Sequence, residues 1–157
     1  MVSRNLIERR LTGEWKETTL IPSQGRLTPR VILFVGLGKV KEYSYLRVRE
    51  VTLYLLEALE KLRLLNVCLS LPYDEKYNVD CGKLAEILIE GIADCISSGE
   101  HSFDGEWTDN IRLFFAEGEE KFPEILLGVK TAKSILTGRL KMRIFVPTEK
   151  ITKPLPL

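Results

Sequence analysis

The sequence predicts an α/β fold, built as a single three-layer domain with one mixed β-sheet flanked by helices. Three observations carry this. Arg30 to Gly38 reads Arg-Val-Ile-Leu-Phe-Val-Gly-Leu-Gly, and a short apolar run stopped by glycine fits a strand buried on both faces. A long amphipathic segment follows that glycine turn, and a strand running through a turn into a helix is the building unit of such sheets. Short apolar runs then alternate with helical periods to the end of the chain.

At 157 residues the chain is the size of one domain, and its 45% apolar content supplies a core. The expected core spans about 5–146, with a loose proline-containing tail over 147–157. A net charge of +1 gives no general reason to expect nucleic acid or an anionic membrane as partner. No apolar run reaches the roughly 20 residues that span a bilayer, and the N-terminus lacks a secretory apolar region. Cys68, Cys81 and Cys95 are odd in number and lack CxxC spacing. They read as core or helix-face thiols, and a cytoplasmic location is expected.

Taken in order, Asn5 to Leu11 predicts a short helix ended near Gly13. Glu17 to Pro22 suits a strand. Ser23 to Arg26 forms a turn, so this strand and Val31 to Val35 are expected as antiparallel neighbours. Ser44 is the expected N-cap of a helix reaching about Leu64, with Val48, Val51, Leu55, Leu59 and Leu62 as its apolar stripe. Val67 to Leu71 reads as a second buried strand, stopped by Pro72, and Tyr73 to Asp80 as a polar loop. A helix over about Gly82 to Ser97 turns Leu84, Ile87, Leu88, Ile92 and Ile96 inward. Ser98 to Asp109 reads as an exposed loop pinned by Phe103 and Trp107. Ile111 to Ala116 is the third α/β-type strand. Glu119 to Leu136 is a helix with Phe122, Ile125, Leu126, Val129, Ala132 and Leu136 inward, and Met142 to Val146 a last short strand.

The chemistry these residues offer is sparse. Gly36 and Gly38 invite a nucleotide reading, but the dinucleotide fingerprint needs a third glycine where Lys41 stands. Lys39 and Lys41, with Gly36 and Gly38, are the candidates for holding a small anion at a helix N-terminus. The alternative is an ordinary turn carrying two solvated lysines. His101 is the only histidine; with Asp104 and Glu106 it is a weak metal candidate, against the plainer reading of an exposed loop. No GxSxG elbow exists. Cys68 is expected inside a buried strand, which argues against a reactive thiolate; Cys81 stands at a helix start whose dipole lowers a thiol pKa, but with no partner histidine nearby in sequence the favoured reading is an inert thiol. Arg9-Arg10 and Lys39-Lys41 are too small as basic patches to predict nucleic-acid binding.

The order Gly13, a strand ending Leu20-Ile21-Pro22, a turn, and Arg30-Val31-Ile32-Leu33-Phe34-Val35-Gly36-Leu37-Gly38-Lys39 resembles the N-terminal domain of the leucyl (cytosol) aminopeptidases. Leu69-Ser70-Leu71-Pro72, Ala85-Glu86-Ile87-Leu88-Ile89-Glu90-Gly91, His101-Ser102-Phe103-Asp104 and Gly128-Val129-Lys130-Thr131-Ala132 continue the similarity, over roughly residues 5 to 138. The resemblance implies a macro-domain-like fold whose usual first strand is shortened or missing. In that family catalysis belongs to a separate two-metal domain carrying an Asn-Thr-Asp-Ala-Glu-Gly-Arg-Leu type segment, which this sequence does not contain. The Asn-Ala-Ala-Asn-like pattern of ADP-ribose-binding macro domains is absent too. No catalytic residue, metal ligand or cofactor is carried over. The expectation is a stand-alone, non-catalytic binding, assembly or regulatory module whose partner is a protein, either a second copy or a peptidase-like chain. Two alternatives are a nucleotide, ADP-ribose-like or other anion ligand at Gly36 to Lys41, and a subunit of a split metallo-aminopeptidase. Nucleic acid and membrane are not expected as partners.

Overall fold

The computed structural model describes residues 11–73, 79–99 and 101–146. The expected first helix up to Arg10, the middle of the 73–80 loop, Glu100 and the tail 147–157 lie outside them. The observed order is β1 (Thr18–Pro22), β2 (Val31–Val35), α1 (Tyr45–Lys61), β3 (Asn66–Leu69), α2 (Cys81–Ser97), α3 (Gly105–Asn110), β4 (Arg112–Phe115) and α4 (Phe122–Ile135). The α/β class holds.

The sheet is divided. β1 and β2 form the expected antiparallel hairpin, with Thr18 opposite Val35 and Pro22 opposite Val31. Ser23 N–H closes its turn on the Arg30 carbonyl at 2.9 Å. β3 and β4 pair in parallel, Asn66 with Arg112 through Leu69 with Phe115. Both pairing types of the predicted mixed sheet are present, but as separate two-stranded ladders among the described residues. Leu33 and Val35 still pack on the same core as Leu69, Leu113 and Phe115. Every residue of β2 is half-buried, and Cys68 and Phe114, paired across the second ladder, face solvent. An apolar run shows that a strand can be covered on both faces, not that both faces are covered. Met142 to Val146 joins no ladder, which corrects the expected last strand.

The core lies between the helices and the inner sheet faces. Val48, Leu55, Leu56 and Leu59 of α1 meet Leu84, Leu88 and Ile92 of α2, with Trp107 and Ile125 in the same cluster. Ser44 caps α1 as expected, its Oγ accepting from Arg47 N–H at 3.3 Å. The helix stops at Lys61, earlier than its pattern predicts. Arg63 takes a left-handed φ of 53°. Its N–H bonds the Glu60 carbonyl, and Leu64 N–H bonds the Leu59 carbonyl. This is the Schellman ending that glycine usually marks, and with arginine in the glycine's place the sequence carries no stop signal. Leu62 therefore sits at the cap, exposed, as does Phe122 at the first position of α4. Both were expected inward.

Two contacts set the helix spacing. A Cβ at Gly128 of α4 would fall on the Gly82 carbonyl oxygen of α2. A Cβ at Gly91 of α2 would meet Thr52 of α1, whose buried Oγ1 bonds the Arg49 carbonyl at 2.5 Å.

An ion cluster ties α1, α2 and the segment after α4 together. Arg49 Nε donates to Asp94 Oδ2 at 2.8 Å, Arg49 NH1 reaches Glu90 at 3.1 Å, and Arg139 NH2 donates to Asp94 Oδ1 at 3.0 Å. Burial works to raise the Asp94 pKa, but the hydrogen bonds from Arg49 and Arg139 outweigh it and hold the carboxyl below its ordinary value. A depressed folded-state pKa stabilises the fold above the unfolded value, and that contribution is lost as pH falls through the folded one. The melting midpoint is thus expected to fall once pH drops below about 4. Asp94→Asn will flatten that fall, measured as melting midpoint against pH.

Candidate functional site

The Gly36 to Lys41 turn is built by close backbone approach. Gly36 is buried, and a Cβ there would fall on the Glu14 carbonyl oxygen. Gly36 N–H donates to the Glu17 carbonyl at 2.7 Å, and Gly38 N–H to the Gly13 carbonyl at 3.0 Å. Gly38 has a φ of 78° and packs against Trp15. Residues 13–17 thus cross against both glycines, and the Gly36 and Gly38 amides already have acceptors. Lys39 and Lys41 are exposed. A 3₁₀ turn, Val40–Glu42, separates the glycines from α1, whose first turn Ser44 caps. Arg47 lies over the Trp15 ring at 4.2 Å while bonding Glu42 at 2.9 Å.

The segment expected as an exposed loop contains α3. Asp104 is its N-cap, accepting from Glu106 N–H at 2.9 Å and Trp107 N–H at 3.4 Å. An aspartate ahead of Glu106 in the first turn is a helix-start signal, so this helix was readable. What pins it is also as expected: Trp107 is 3% exposed, its Nε1 donates to the Leu64 carbonyl at 3.0 Å, and Phe103 stacks at a tilt on its ring.

Asp104 also accepts from Arg63 NH1 at 2.7 Å. The Arg63 hydrogen bond, then the amides of Trp107 and Glu106, hold its carboxyl below the usual range. Arg63 was missed because it stands 41 positions away and is brought there by the left-handed ending of α1. Arg63, Leu65, Asp104, Glu106, Trp107 and Asn110 line an open depression of about 420 Å³. Its one deep aromatic is already buried and hydrogen-bonded.

His101 Nδ1 lies 3.7 Å from Glu57 Oε1. Among the described residues no group of three His, Cys, Asp or Glu side chains is placed to hold a metal ion. Asp104 is turned to the α3 amides and Arg63.

The thiols differ in exposure. Cys68, expected buried, is exposed on the outer face of β3. Cys81 is buried at the start of α2. Burial, then the charges of Glu117 and Glu124, push its thiol up to about 11, so the helix dipole does not win there. Native protein at pH 8 is expected to react rapidly with a thiol reagent at Cys68 and not at Cys81. Cys68→Ser will remove the fast phase in a stopped-flow trace.

Among the described residues no helix is long and apolar enough to cross a membrane. No curated protein matches the chain. A family model described as the cytosol aminopeptidase family, N-terminal domain, matches residues 2–104. It runs from the N-terminal segment through both strands of the hairpin, α1, β3 and α2 to the Asp104 cap, and leaves β4 and α4 outside the match. With more than half of its length matched, the chain belongs to the cytosol aminopeptidase N-terminal domain family.

Proposed function

We propose that this domain acts as a binding or assembly module and does not itself catalyse peptide hydrolysis. The observation that carries the reading is where apolar surface is left open. Phe122, Leu127 and Ile135 of α4, then Phe145 and Val146, are exposed in one stretch of sequence, with Leu127 at 68% and Phe145 at 85%. They include the two most exposed large apolar side chains of the described residues, Leu127 and Phe145, and apolar surface left open to water is a candidate for a partner to cover.

Three carboxylates elsewhere have structural work. Asp104 caps α3 and Glu117 Oε1 accepts from Leu71 N–H at 2.5 Å, while Asp94 joins the ion cluster of α1 and α2. The test is native mass spectrometry of the full chain isolated from its own extract. A complex of fixed stoichiometry, either with a second copy or with another protein, is the expected result. A lone monomer at native abundance contradicts the reading.

A further inference from the structure

The modest net charge hides a strong segregation. Between Glu124 and Glu149 there is no acidic residue, while Lys130, Lys133, Arg139, Lys141 and Arg143 all fall in that interval. Burial alternates along residues 140–146. Leu140, Met142 and Ile144 are half-buried, and Lys141, Arg143 and Phe145 are exposed. This is the period of a strand. Leu140 and Met142 pack on the small core of Ile89, Ala93, Ala132 and Leu136, and Arg139 bonds Asp94 and Ser97. The segment is thus anchored along one side. Yet it pairs with no strand of the described residues, and its outward side chains are two cations and a phenylalanine.

We propose that residues 140–146 take up an extended acidic segment of a partner protein by strand addition. Unpaired main-chain groups of a strand-patterned segment are a template for another chain. Acidic side chains on that chain meet Lys141 and Arg143 across the pair, where opposite charges stabilise. A second copy using the same segment would set cation against cation, which is destabilising. A strand added here continues the alternation that the sequence already carries from Met142 to Val146.

This inference deepens the binding reading and rests on it. Its test uses the full chain and a short fluorescent peptide in which glutamate alternates with threonine and valine. Fluorescence anisotropy is expected to show saturable binding that weakens with salt. The Lys141→Glu/Arg143→Glu double variant, altered only at exposed positions, will bind about ten-fold more weakly, a loss of about 1.4 kcal/mol, with an unchanged melting midpoint. An N-methylated peptide of the same sequence, lacking the main-chain donors, will lose as much. Equal binding of the N-methylated peptide would reduce the site to charge alone and overturn the proposal. So would absence of binding, or tighter binding to phosphatidylserine vesicles or single-stranded DNA, or a dimer that the double variant strengthens. If the peptide fails while a native complex of fixed stoichiometry persists, the strand-addition proposal falls and the broader binding reading stands.

Discussion

Gly128→Ala will lower the melting midpoint by about 10 °C, a loss of about 3 kcal/mol in a domain of this size. Alanine is the better helix former by about 1 kcal/mol, so propensity alone predicts a gain. Packing decides the sign, because the new methyl group falls on the Gly82 carbonyl of the neighbouring helix. That oxygen is main chain and cannot swing aside, so α2 and α4 must separate along their shared core. Gly91→Ala is expected to cost less, because its nearest neighbour is the Thr52 hydroxyl, although the Arg49 carbonyl also stands within 2.9 Å. Gly105→Ala is the control. Nothing lies within 4 Å of a Cβ there, and the midpoint will stay or rise slightly. Thermal melts of the three variants followed by circular dichroism check the order.

Trp107→Ala will cost about 4 kcal/mol, the range for emptying a buried large aromatic site. The indole fills the junction of α3 with the end of α1 and holds the Leu64 carbonyl through Nε1. Removing it leaves a cavity and an acceptor without its donor. Trp107→Phe keeps most of the volume and loses the hydrogen bond, so a cost of about 1–3 kcal/mol is expected. Denaturant titrations of both variants give the two numbers. Equal costs would mean that the hydrogen bond, not the ring, holds α3 in place.

The helices were the most legible part of the fold. Val48, Val51, Leu55 and Leu59 recur at helical spacing, and Ser44 marks the start. The structure places these four in the interior and Ser44 at the N-cap. The antiparallel pairing of the hairpin followed from a short connection between two apolar runs. Helix ends were less legible, as Arg63 shows by taking a conformation for which glycine is the usual sign. Strand burial was the weakest inference. Cys68 and Val67 are neighbours of similar apolar character, yet only Val67 is buried, because coverage of the outer face depends on elements far away in sequence.

The candidate site divides in the same way. Gly36 and Gly38 were read as an anion-holding turn or as plain turn geometry; at Gly36 a side chain would meet the Glu14 carbonyl, and Gly38 takes a positive φ. The close approach at Gly36 comes from the crossing of residues 13–17, which no local pattern displays. Asp104 was singled out as a carboxylate near histidine, and its partner proved to be Arg63. The Met142 to Val146 pattern was read as a strand and has strand periodicity without a ladder. That mismatch between sequence and observed pairing is the observation on which the proposed strand addition rests.

Hydrolysis is the most direct test of the claim that this domain binds rather than catalyses. The purified full chain, supplied with zinc or manganese, would be assayed against leucine amide substrates with and without a chelator. The account predicts no turnover above buffer under any of these conditions. Metal-dependent turnover that co-purifies with the chain and disappears on chelation would contradict it.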